Sequence, residues 1–144
     1  MDLQSLENLE VLELELAKLV RNITSLATNQ KKFGNLDRSA YLLLHYISDH
    51  GPSGVKTLAE GLRLDISTAS RQATALEQKG YVTRIPDPED GRAFTFQLTP
   101  AGAHEYAGTK QARIDRITER LHTWSDEERQ QFGELLSKFN DSFK

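Results

Sequence analysis

The sequence predicts a mainly helical fold interrupted once by a small β-hairpin. Three observations carry that prediction. Near both ends of the chain, apolar residues recur at spacings of three and four, the period of one helix face. In the middle, two short helical segments, Val55–Leu62 and Ile66–Lys79, are separated by only three residues. After Gly80 the pattern changes to alternation around a centre dense in turn-forming residues, which is how a hairpin reads.

The first helix is expected over Leu3–Lys31, a stretch without proline or glycine. Leu9, Leu12, Leu16, Leu19, Ile23 and Leu26 alternate spacings of three and four, and Leu6, Val11, Leu14 and Val20 widen the apolar surface beyond that seam. Two readings stay open for it: packing against its own chain, or against a second subunit. A second helix is expected over Asp37–Asp49, with Ala40, Leu43, Leu44 and Ile47 inward, and Gly51-Pro52-Ser53-Gly54 ends it. The paired short helices follow, closed by Gly80 at the position of a helix C-terminal glycine.

Tyr81–Ile85 reads as a strand, and Pro86-Asp87-Pro88-Glu89-Asp90-Gly91 as the loop. Phe94, Phe96 and Leu98 alternate with Ala93, Thr95 and Gln97 as the return strand. Thr99-Pro100 combines a capping hydroxyl with proline at the first helical position, and the helix it opens is expected to reach about His122. Ser125-Asp126-Glu127-Glu128 is a capping box with an acidic first turn. The last helix carries Phe132, Leu135, Leu136, Phe139 and Phe143.

Composition narrows the function classes. A chain of 144 residues with 38% hydrophobic content can bury one core. No apolar run is long enough for a membrane span. Asp2, Glu7, Glu10, Glu13 and Glu15 stand where a signal peptide would be basic, so a cytoplasmic location is expected. The absence of cysteine removes disulfides, zinc fingers and thiol switches. His45, His50, His104 and His122 show no metal-ligand spacing, and there is no phosphate loop, nucleophile elbow or nucleotide fingerprint. No cofactor and no enzymatic activity are expected. The net charge of −3 gives no support to a nucleic-acid partner, and residues 63–96 hold five basic and five acidic side chains.

The arrangement speaks where the charge does not. Helix, short turn, helix and hairpin is the order of a winged helix-turn-helix, in which one helix enters the major groove and the one before it braces it. In Ile66–Lys79, Ile66, Ala69, Ala73 and Leu76 are expected to face the core. Ser67, Thr68, Ser70, Arg71, Gln72 and Thr74 fall between them as a small, donor-rich face, and the helix N-terminus attracts phosphate. Arg71 suits a guanine edge or a phosphate. Arg92, beside Gly91 at the hairpin tip, suits a narrow minor groove, with Asp90 orienting it. The plain alternatives are a solvated first turn for the hydroxyls and a weak surface ion pair for Arg92 and Asp90.

The stretch Leu58-Ala59-Glu60, Asp65-Ile66-Ser67-Thr68-Ala69-Ser70-Arg71 and Leu76-Glu77-Gln78-Lys79-Gly80-Tyr81-Val82-Thr83-Arg84 resembles the MarR family of transcriptional regulators. Asp87-Pro88-Glu89-Asp90-Gly91-Arg92-Ala93 and Leu98-Thr99-Pro100-Ala101-Gly102 extend the resemblance over residues 55–102.

That resemblance implies six helices with a winged helix-turn-helix in the middle, intertwined with a second subunit through the terminal helices. Residues 1–34 would be the N-terminal dimerisation helix, 35–100 the DNA-binding domain and 101–144 the C-terminal dimerisation helices. It assigns double-stranded DNA contacts to Ser67, Thr68, Ser70, Arg71, Gln72, Arg84, Asp90 and Arg92. It assigns the homodimer interface to Leu9, Leu12, Leu16, Phe132, Leu136 and Phe139. Many members carry two consecutive basic residues after the wing aspartate, whereas this chain has Gly91-Arg92. Many also respond to a small aromatic or phenolic effector in a crevice between the dimerisation helices and the DNA-binding lobe. Arg21, Tyr41, His45 and Tyr46 are the candidate lining residues here, with a core or capping role as the alternative for each. The expectation is a transcriptional regulator, a repressor in the commonest case, reading a pseudo-palindromic operator as a homodimer. A winged-helix domain that acts through protein–protein contact is the competing reading.

Overall fold

The computed structural model describes residues 1–27 and 36–144, with residues 24–27 as backbone only. Along the chain run α1 (Leu3–Ala27), α2 (Arg38–His50), α3 (Val55–Leu62), α4 (Ile66–Gln78), β1 (Val82–Pro86), β2 (Phe94–Leu98), α5 (Pro100–Arg120) and α6 (Asp126–Asp141). The expected extension of α1 to Lys31, and the Leu26 side chain in its seam, lie outside the described residues.

Each start has a local cause. Asp37 accepts from the Ala40 amide at 2.8 Å to open α2, and Thr99 accepts from Gly102 at 3.0 Å to open α5, with Pro100 at its first position. Ser125 and Glu128 form the reciprocal capping box of α6. Gly80, at φ 82°, closes the turn after α4 in the left-handed region that favours glycine. Arg63 ends α3 in the same region at φ 60°, and the Leu64 amide reaches back to the Ala59 carbonyl at 2.9 Å. An L side chain is strained there.

The core lies under α2, α3, α4 and the hairpin, built on Leu43, Leu44, Ile47, Leu58, Leu76 and Phe96. Gly61 lets α3 approach α2 closely, because a Cβ there would collide with the Tyr46 ring. β1 and β2 pair antiparallel from Val82 opposite Leu98 to Pro86 opposite Phe94. Ser53, in the α2–α3 connection, exchanges backbone hydrogen bonds with Phe96 at 3.1 and 2.8 Å, which pins the base of the hairpin to the body.

Two packing expectations are corrected. Ile66 is 59% exposed and not in the core, because it occupies the first turn of α4, beyond the elements that cover Ala69, Ala73 and Leu76. Phe94 is also exposed, because it lies on the tip side of Phe96, the residue that bonds the hairpin to Ser53. Neither α1 nor α6 packs extensively on another described element, and both carry exposed large apolar side chains. No described helix is long and apolar enough to cross a membrane.

Candidate nucleic-acid interface

The first turn of α4 is organised by Asp65. One carboxylate oxygen accepts from the Ser67 hydroxyl and the Thr68 amide, both at 2.7 Å, and the other accepts from the Thr68 hydroxyl at 3.0 Å. These donors, led by the Ser67 hydroxyl, hold the Asp65 carboxyl down to about 2. Arg71 Nη2 in turn donates to Thr68 Oγ1 at 3.3 Å. The chain's own carboxylate thus caps the α4 N-terminus and takes the Thr68 amide. Of its polar face, α4 exposes Ser67 and Arg71, with Thr68, Ser70 and Gln72 half-buried beside them and Ile66 exposed at its start.

The wing presents Arg92 at its tip. Asp90 accepts from the Arg92 backbone amide at 3.0 Å, and its own carbonyl accepts from Ala93 at 3.0 Å. Asp90 therefore shapes the turn through the backbone, while the Arg92 side chain stays exposed. Arg84 lies in the middle of β1, opposite Phe96. Its Nε donates to both Glu77 carboxylate oxygens at 3.0 Å, its Nη2 reaches Thr74 at 3.4 Å, and the guanidinium sits 4.3 Å from the Phe94 ring centroid. The sequence reading missed Glu77 and Phe94 as partners of Arg84.

Of the four candidate effector residues, the fold brings Tyr41 and His45 together. Both face α5, where Tyr106 stacks on Tyr41 with centroids 5.4 Å apart and its hydroxyl lies 2.7 Å from His45 Nδ1. The Arg113 guanidinium lies 4.8 Å from the Tyr41 ring centroid. Burial pushes the Tyr41 phenol above its usual range, and Tyr106 adds to the rise. Thr109, on the same face of α5, is buried with no hydrogen-bond partner for its hydroxyl. Tyr46 points elsewhere, stacked on His50 at 4.0 Å and set against Gly61, and Arg21 is exposed on α1. Tyr106, Thr109 and Arg113 were legible as one helix face by their spacing but were not singled out from the sequence.

The six residues expected at a dimer interface lie on the two unpartnered helices. Leu9 and Leu12 of α1 are 47% and 50% exposed, with Leu16 less so, and Phe132, Leu136 and Phe139 of α6 are also exposed. Ile117, Leu121, Phe132 and Leu136 line a cleft of about 580 Å³ between α5 and α6. Among the described residues, no cluster of potential ligands could hold a metal ion.

A helix pair whose second member is half exposed, followed at once by a hairpin with an arginine tip, defines a winged helix-turn-helix protein. The MarR family model matches residues 36–94. The chain is 43% identical over 141 residues to the uncharacterized HTH-type transcriptional regulator YxaD of Bacillus subtilis (strain 168), covering 98% of this chain and 99% of that one. It belongs to the MarR family of transcriptional regulators, which are not enzymes. YpoP of the same organism, another uncharacterized HTH-type transcriptional regulator, is 26% identical over 95% of this chain and 94% of its own. A MarR family protein from Bacillus stearothermophilus shares the fold at TM-score 0.76 and 20% identity, covering 99% and 98% of the two chains. So does the PcaV transcriptional regulator from Streptomyces coelicolor, solved with its natural ligand, at TM-score 0.71 and 19% identity over 88% and 92%.

Proposed function

We propose that the chain is a cytoplasmic repressor that binds a pseudo-palindromic operator as a homodimer. The observation that carries the reading is the pairing of an exposed Ser67 and Arg71 on α4 with an exposed Arg92 at the wing tip. α4 enters the major groove, where Ser67, Thr68, Ser70, Arg71 and Gln72 meet base edges and phosphates. Arg92, held by the Asp90 turn, enters the minor groove. Residues 35–100 form the DNA-binding lobe. Residues 1–34 and 101–144 supply the dimer contacts through Leu9, Leu12, Leu16, Phe132, Leu136 and Phe139.

A small aromatic or phenolic effector, bound against Tyr41, His45, Tyr106 and Arg113, releases the DNA. The buried, unpartnered Thr109 hydroxyl on the same helix face supports a polar guest there. So does the ligand held by PcaV. Hydroxybenzoic acids are expected to raise the melting temperature and weaken DNA binding; if they change neither, the effector reading falls.

The test of the main reading is affinity for selected genomic fragments at two salt concentrations. A binder that contacts six or more phosphates loses roughly 10³-fold between 50 and 200 mM salt. Arg71→Ala and Arg92→Ala each weaken binding while the protein stays folded. Binding indifferent to salt, or full affinity in both variants, overturns the reading in favour of protein–protein contact.

A further inference from the structure

We infer that Arg84 is a positioning residue that fixes the wing against the recognition helix, not a contact to DNA in its own right. The proposal rests on the DNA-binding reading and replaces the direct role that the family resemblance gave Arg84. The guanidinium joins three elements. From β1 it makes a two-oxygen hydrogen bond to Glu77 near the end of α4, at 3.0 Å on both oxygens, and reaches Thr74 one turn earlier at 3.4 Å. Its carbon lies 4.3 Å from the Phe94 ring centroid and 5.3 Å from that of Phe96, both on β2.

The register explains why one side chain reaches both rings. Arg84 stands directly opposite Phe96, so the two share a face of the hairpin, and Phe94 lies diagonally next to them. Phe94 and Phe96 meet edge to face at 5.6 Å. Phe96 is buried in the core and bonded through its backbone to Ser53, whereas Phe94 is exposed on its tip side. Among the described residues, Arg84 ties β1 to Glu77 and Thr74 of α4 and carries the Phe94 ring on the same side chain. Lysine keeps the charge but cannot hold Glu77 from one nitrogen, reach Thr74 from another and lay a planar cation against the Phe94 ring together.

The consequence is coupling. Without the brace, the wing tip samples more orientations, and Arg92 loses the advantage of being placed over the groove. A phosphate contact by Arg84 would instead be independent of Arg92 and largely kept by lysine.

The experiment has two readouts on Arg84→Lys, Phe94→Leu and Glu77→Gln. The first is amide hydrogen exchange without DNA. Exchange in β1 and β2 on the tip side of the Arg84–Phe96 pair should accelerate about tenfold in each variant, while α2 stays protected. The second is a double-mutant cycle on a selected fragment. Arg92→Ala should cost about tenfold in the unmodified protein and less than about threefold in the Arg84→Lys background. Unchanged exchange in Arg84→Lys, or an Arg92→Ala penalty equal in the two backgrounds, overturns the proposal. If the unmodified protein selects no DNA, the DNA reading falls, and the exchange measurement alone decides the brace.

Discussion

Replacing Gly102 by alanine adds one methyl group where the chain has no room for it. Gly102 is buried in the first turn of α5, directly over the start of the hairpin. A Cβ there would lie 2.8 Å from the Tyr81 carbonyl carbon and 3.1 Å from its Cα, and would collide with the carbonyl oxygen. The obstacle is backbone, so no rotamer change relieves it. Moving α5 away strains the contacts that seat it: the Thr99 amide on the Tyr81 carbonyl at 3.1 Å and the Thr99 hydroxyl on the Gly80 carbonyl at 2.6 Å. Overpacking of this kind costs about 1–3 kcal/mol. A weakened hydrogen bond adds ~1 kcal/mol, and the better helix propensity of alanine returns less than ~1 kcal/mol. The net expectation is a loss of about 2 kcal/mol, or a melting temperature lower by roughly 4–8 °C.

Gly108 on the same helix is the control. It is exposed, with nothing within 4 Å of an added Cβ, so Gly108→Ala should stabilise by about 0.5–1 kcal/mol. Thermal unfolding followed by circular dichroism, at one fixed protein concentration, compares the two. Shifts of opposite sign are expected. A Gly102→Ala protein as stable as the unmodified chain would refute the close approach of α5 to the hairpin.

Other perturbations separate further parts of the account. Arg63→Gly removes the strain of an L residue at φ 60° and should raise the melting temperature by a few degrees, offset in part by the freer unfolded chain; a fall would mean that the Arg63 side chain matters more than its backbone. Asp65→Asn tests the α4 cap. Because the carboxyl is lowered from 3.8 to about 2, its contribution is present above pH 3.8 and fades as the pH falls toward 2. The difference in melting temperature between Asp65→Asn and the unmodified chain should therefore be largest near neutral pH and shrink toward pH 2, and a constant difference would contradict the assignment. Leu16→Glu or Phe139→Glu buries a charge at the proposed subunit interface, and sedimentation should show dissociation; a dimer of unchanged affinity in both would place the interface elsewhere.

The helix-turn-helix and hairpin were legible in the sequence because several boundaries carry their own signal. Thr99 and Ser125 announce the helices they cap and Gly80 closes the turn after α4, whereas the Asp37 and Asp65 caps emerged only from the structure. Alternation placed Phe96 in the core. The periodic pattern failed at Ile66 because a helix face extrapolates past the point where other elements stop covering it. The grip of Asp65 on Ser67 and Thr68 was not read from the sequence, because it depends on how the first turn of α4 folds back on the residue before it. Pairings across long separations were out of reach. His45 meets Tyr106 across 61 positions, and nothing local in either segment announces the other.

The central claim is that two copies of α4 read DNA together. Footprinting the purified protein on a selected genomic fragment, with the stoichiometry measured on the same complex, tests it most directly. The account predicts two protomers on a pseudo-palindrome whose half-sites lie about one helical turn, ~10 base pairs, apart. A single protomer bound, protection without two-fold symmetry, or no protected sequence at all would contradict it.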